Sequence, residues 1–146
     1  MVEKTKREEI VELVNRLFIC TDERNWKRLT ADVFTPMVVF DMSSVGGQPP
    51  AKIAATTIAE NWEQGFDGLD SVYHQSGNFI VKFTDEGQAQ VTCYAIAIHF
   101  KQSAKLGSTR EFFGTYDIVC VLTNVGWRIN GLRYNLKFIR GNQNLE

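Results

Sequence analysis

The hydrophobic spacing of this chain changes once, near residue 70, and that change governs what it can fold into. Before it, apolar side chains recur every three to four residues; after it they alternate, the step from helical to extended backbone. Over residues 4–22, Ile10, Leu13, Val14, Leu17, Phe18 and Thr21 share one helical face, with Glu9, Glu12, Asn15 and Arg16 off it. A short second helix is expected over "NWKRLTADVF", with Trp26 and Leu29 inward. Pro36 then introduces a short strand, "MVVFDM", at 37–42. The Gly/Pro-rich stretch "SSVGGQPPAK" (43–52) reads as a surface loop. Pro50 suits the first turn of a third helix at about 51–65, whose apolar face is Ala54, Ala55, Ile58, Ala59, Trp62 and Phe66. Four long strands follow at about 72–84, 88–102, 110–123 and 126–140, with tight turns at "TDEG" and "TNVG" and a longer polar loop at "QSAKLGS". Helices first and an antiparallel sheet after define an α+β chain.

At 146 residues the chain fits one domain, 1–146. Its 16 basic and 17 acidic residues form no cationic stripe, so the electrostatic footprint of a nucleic-acid binder is missing. The opening "MVEKTKREEIVEL" mixes both signs of charge and lacks the apolar core of a signal peptide. No apolar run approaches the roughly 18 residues that suggest a membrane span. Cys20, Cys93 and Cys120 are odd in number and scattered, which suggests buried thiols in a reducing cytoplasm rather than a disulfide framework.

Two strands, "CYAIAIHF" (93–100) and "YDIVCVL" (116–122), are apolar on both alternating faces. An antiparallel sheet with one solvated face alternates more cleanly. Three helices cover one face only, so the other is expected to pack on a second copy, giving a homodimer through the outer sheet face. A strongly curved sheet with a merely hydrophobic exterior is the alternative.

Three stretches resemble a known family: "FICTDERNWKRLTADVFTPMVVFDMSS" (18–44), "VYHQSGNFIVKF" (72–83) and "GTYDIVCVLTNVGWRINGLRYNLKF" (114–138). An Asp ending the first helix before Asn-Trp, a His early on the first long strand, and Gly-Trp-Arg opening the last are similar to the SnoaL-like branch of the nuclear transport factor 2-like superfamily, which includes scytalone dehydratase and bile-acid dehydratases. The resemblance implies a cystatin-like cone, a curved antiparallel sheet wrapped on three N-terminal helices, whose open end holds a small organic molecule. It also implies an acid–base histidine at His74 and a partner carboxylate at Asp22, both on the cone lining. Thr21 and Met42 stand where scytalone dehydratase carries tyrosines, so the same substrate is not implied.

Chemistry agrees with those two positions. An imidazole with an ordinary pKa of about 6.5 can both remove a proton and return it near neutrality. A carboxylate on its other nitrogen sets the tautomer. Asp22 ends a helix, where negative charge gains nothing from the macrodipole, so it is expected either to face His74 or to cap the second helix. His74 shares strand parity with Val72, Ser76, Asn78, Ile80 and Lys82, a mixed face that reads either as solvent-exposed or as shifted by one residue at a bulge. His99 continues a row of small residues, Val91, Cys93, Ala95 and Ala97, that suits a cavity wall; a solvated strand end is the other reading. Tyr94, Tyr116 and Tyr134 are candidate phenols, Tyr116 first because Gly114 leaves room beside it. Trp62 is expected between core and pocket, and Trp127 as a core or dimer anchor. Asp41 either lines the mouth or starts a turn. No HxH or HxxxH spacing points to a metal, "VGGQPP" lacks the pattern of a phosphate loop, and no cofactor is expected. The expected function is a cofactor-independent dehydratase or isomerase, polyketide cyclase-like, acting on a small hydrophobic carbonyl compound in a pocket of roughly 300 Å³ or more. The alternative is a ligand-binding or assembly module of the same fold without catalysis.

Overall fold

The computed structural model describes residues 2–146. Helix α1 runs Lys6–Asp22, and its start is written in the sequence: Thr5 accepts from the Glu8 backbone while the Glu8 carboxylate accepts from the Thr5 backbone. That reciprocal cap satisfies two donors the helix cannot satisfy itself. Its buried face is Ile10, Leu13, Val14, Leu17, Phe18, Cys20 and Thr21. Asn25 caps one turn of helix, α2 (Trp26–Arg28), which runs on into a wider π turn at Leu29–Val33. Strand β1 (Phe34–Asp41) follows, then β2 (Ala51–Ala54), and helix α3 (Ala55–Gly65). The four long strands are β3 (Ser71–Asp85), β4 (Gln88–Phe100), β5 (Thr109–Thr123) and β6 (Gly126–Gly141).

These strands form one curved, unclosed six-stranded sheet in the order β2-β1-β6-β5-β4-β3. Two departures from the expected architecture stand out. The third helix starts at Ala55 rather than near residue 51, because Ala51–Ala54 pairs with Met37–Phe40 as an antiparallel edge strand. Pro50 therefore precedes a strand, where its missing N–H costs nothing on an edge. The β1–β6 pair is parallel, which the long connection between those strands permits and a tight hairpin would not.

The core lies between the helices and the concave sheet face. Ala89, Val91, Cys93 and Ala95 of β4 and Ile118 and Cys120 of β5 are buried there with Ile10, Leu13 and Leu17. Most of the small-residue row on β4 thus packs as core floor beneath α1, and only its far end, Ala97 and His99, reaches an open space. No helix among the described residues is long and apolar enough to cross a membrane.

Candidate functional site

The open space is an apolar cavity of about 230 Å³ between α1, α3 and strands β3–β6. Its walls carry Phe18 and Thr21 from α1, Trp62 and Phe66 at α3, His74 from β3, Ala97 and His99 from β4, Phe112 and Tyr116 from β5, Tyr134 from β6, and Met42. This is smaller than the expected 300 Å³, because aromatic rings fill much of the cone. Phe18 stacks on His74 at 5.2 Å, Phe66 meets His99 edge-on at 5.3 Å, and Phe112 lies 5.2 Å from His99. The space suits a single substituted ring.

His74 and Asp22 are held together by the local backbone at both ends. Helix α1 stops at Asp22 because Arg24 takes a left-handed conformation, φ 56°, and the Asn25 N–H returns to the Cys20 carbonyl at 2.8 Å. Arg24 also donates to the Leu69 carbonyl at 2.7 Å, tying this turn to the start of β3. Asp22 then faces β3 with both oxygens. One accepts from the His74 backbone N–H at 2.9 Å, and the other lies 2.6 Å from His74 Nδ1. Asn25, not Asp22, caps α2.

The carboxylate only accepts, so in the neutral ring His74 Nδ1 carries the proton and Nε2 keeps its lone pair. The His74 side chain is 8% exposed and that of Asp22 22%. Asp22 does not line the cavity. It sits behind the ring, in a separate polar groove shared with Asn15, Gln75 and Ser76, where Ser76 Oγ donates to Asn15 at 2.7 Å. Of the two readings the sequence left open for β3, the shifted parity is the one found. The ladder slips between Gly77 and Ile80, with Asn78 at φ 55°. Val72, His74 and Ser76 face inward before the bulge, and Phe79 and Val81 pack on the core after it, leaving Ile80 69% exposed.

His99 is a wall residue, not a solvated strand end. Arg110 on β5 places Nε 3.2 Å and Nη2 2.8 Å from His99 Nδ1. Burial, with the guanidinium beside it, pushes the imidazole down to about 3. Tyr116 and Tyr134 both reach the cavity, their rings 4.8 Å apart. Burial drives the Tyr116 phenol upward and raises that of Tyr134 to about 12, so both are neutral donors. The Tyr134 hydroxyl is buried without a hydrogen-bond partner among the described residues. Gly114 makes room for Tyr134 rather than for Tyr116: a Cβ there would lie 2.6 Å from the Tyr134 hydroxyl and 2.4 Å from the Asn135 carbonyl oxygen.

Tyr94 is not in the site. It is 48% exposed on the outer face, where Lys137 lies 5.9 Å from its ring, because Cys93 and Ala95 take the inward positions on either side. Thr21 lines the cavity but its hydroxyl donates to the Leu17 carbonyl at 2.7 Å, so that donor is already committed. Asp41 starts a turn, accepting from Ser43. Trp127 is core. Among the described residues no group of three or more His, Cys, Asp or Glu side chains is placed to hold a metal ion. Phe18, Phe66 and Phe112, which shape the cavity, gave no signal in the sequence beyond ordinary core spacing. Arg110, at the start of a strand after a polar loop, gave none at all.

The sequence model of the SnoaL-like domain matches residues 3–133. The fold is similar to that of the Kfla4162 protein from Kribbella flavida, with a TM-score of 0.88 at 24% identity over 95% of each chain. A candidate aromatic ring hydroxylase from Novosphingobium aromaticivorans is similar with a TM-score of 0.80 at 21% identity over 99% of each chain. A candidate scytalone dehydratase from the same organism has a TM-score of 0.78 at 15% identity, over 94% of this chain and 87% of that one. No curated protein matches the chain significantly.

Proposed function

The chain belongs to the SnoaL-like family, and from that premise we propose that it is a cofactor-independent dehydratase or isomerase of compact cyclic carbonyl compounds. The observation that carries this reading is the Asp22–His74 pair, at 2.6 Å, behind the wall of an apolar cavity. His74 Nε2 removes a proton from the carbon next to the carbonyl, and the C–H electron pair moves to an enolate. When the carbonyl re-forms, the β-hydroxyl leaves, taking the proton from the imidazolium and departing as water. In the isomerase variant the substrate is a β,γ-unsaturated ketone, and the same proton returns to the γ-carbon of the dienolate, which leaves the conjugated enone. Asp22 stabilises the imidazolium and, by also holding the His74 backbone, keeps the ring from turning. The apolar walls make each of these polar contacts stronger than it is in water.

A test needs no knowledge of the natural substrate. Exchange of the α-protons of 3-hydroxycyclohexanone in D₂O, followed by proton NMR, reports the first step alone. The native protein is expected to accelerate it, and His74→Gln or Asp22→Asn to lower that acceleration by about 10²–10⁴-fold, the usual worth of a general base. A second reading, a binding module without catalysis, draws on Thr21 and Met42 standing where related dehydratases carry tyrosines. Binding of the ketone with no exchange in the native protein would establish that reading instead.

A further inference from the structure

The cavity wall carries two histidines on neighbouring strands: His74 pairs across the β3–β4 ladder with Ala97, and His99 lies two residues further along the same inward row. Their δ nitrogens face opposite chemistry. His74 Nδ1 meets a carboxylate, which only accepts; His99 Nδ1 meets a guanidinium, which only donates. The first arrangement puts the proton on Nδ1 and leaves Nε2 basic. The second makes Nδ1 an acceptor, so the neutral ring carries its proton on Nε2.

Arg110 is built to hold that state. Its Nη1 donates to the Gln143 carbonyl at 3.1 Å, its plane lies over the Phe112 ring at 5.6 Å, and two of its nitrogens converge on His99. The rings against His99 are Phe66 at the end of α3 and Phe112 on β5, and the other group that acts on its charge is His74 on β3. Two of these are apolar and the third is itself a base, so none offers His99 an anionic partner. A protonated His99 would put a second cation against Arg110.

We propose that Arg110 and His99 act as one unit, the guanidinium holding His99 in its Nε2–H form so that it donates to the carbonyl oxygen of a bound cyclic ketone. Arg110 is then a positioning residue, and the two histidines divide the work: His74 takes a proton and His99 steadies the oxygen on which charge develops. The assignment of the ligand as a carbonyl compound rests on the proposed elimination chemistry; the tautomer does not.

Two readouts separate those parts. Nitrogen-15 NMR of the histidine rings is expected to show His99 neutral and protonated on Nε2 from pH 8 down to about 5 in the native protein, with Arg110→Met raising its midpoint by a unit or more and mixing the tautomers. Arg110→Lys, which keeps one charge but loses the fork, should restore neutrality and only partly the tautomer. A native His99 protonated on Nδ1, or titrating near the ordinary imidazole value, overturns the proposal, and that measurement needs no variant to fold. The carbonyl stretch of bound cyclohex-2-enone is expected at lower frequency than in water-free solvent, with the displacement lost in His99→Phe. An unchanged displacement in that variant, or no binding by the native protein at enone concentrations up to its solubility, overturns the donor role. If both readouts hold while α-proton exchange fails, the donor unit stands and the elimination chemistry falls.

Discussion

At the level of single residues, the site depends on which atoms each imidazole meets. His74 and Asp22 are 52 positions apart in sequence yet 2.6 Å apart in space, and only the resemblance to related dehydratases pairs them beforehand. His99 has a consequence for stability as well as for chemistry. Its value is pushed from 6.5 to about 3 in the folded protein. Between those two values the unfolded chain takes up a proton that the native state refuses. Stability from this group is therefore complete above about 6.5 and is lost as pH falls toward about 3. Urea midpoints measured between pH 7 and pH 4 should fall less steeply in His99→Gln, which keeps an acceptor for Arg110 but cannot titrate. Parallel slopes for the two proteins would mean that His99 does not refuse the proton.

Among the elements, the irregularities do most to place the site. The bulge at Gly77–Ile80 lets β3 turn His74 and Ser76 inward and still pack Phe79 and Val81, partly buried, against the core, and Asn78 suits its φ of 55° better than most residues would. Strand parity was legible; the position of the slip was not, because it depends on how β3 must bend to stay on α1. Gly114 is a second such point. A methyl group there meets backbone at 2.4 Å and the Tyr134 ring at 2.7 Å. Gly114→Ala should cost about 1–3 kcal/mol, the range for overpacking, and displace Tyr134 from the cavity, seen as a lower urea midpoint together with a shifted Tyr134 ring signal. The edge strand β2 was missed because four residues give too short a window to tell a strand from the first turn of a helix, and its pairing partner is what decides.

For the molecule as a whole, one stripe of the convex sheet face remains apolar, beside a polar half that carries Thr92, Asp117, Arg133 and Asn135. Ile96, Phe113 and Phe138 lie in register across β4, β5 and β6, with Phe113 and Phe138 stacked at 4.5 Å. Tyr73, Tyr94 and Ile80 extend the patch. Lys137 over Tyr94, and Arg140 paired with Glu111 at 2.7 Å, bring both signs of charge to it. A surface that carries both signs around an apolar stripe is suited to a copy of itself, and we propose a dimer through this face. Sedimentation equilibrium should return twice the 16.6 kDa chain mass, and Phe138→Lys should return a folded monomer. A monomeric native protein would leave the stripe as plain exterior.

What the sequence determined by itself is what local spacing carries: three helical segments, four long strands, the turns between them, and the inward or outward parity of most residues. Those follow from side chains a few positions apart. The tertiary structure decided the rest, because each remaining choice is made between residues distant in the chain. The parallel β1–β6 pair, the guanidinium on His99, and the aromatic rings that narrow the cavity to about 230 Å³ all arise where the sheet curls over α1 and α3. Spacing along the chain says which face a side chain takes, and only the folded sheet says what stands opposite it.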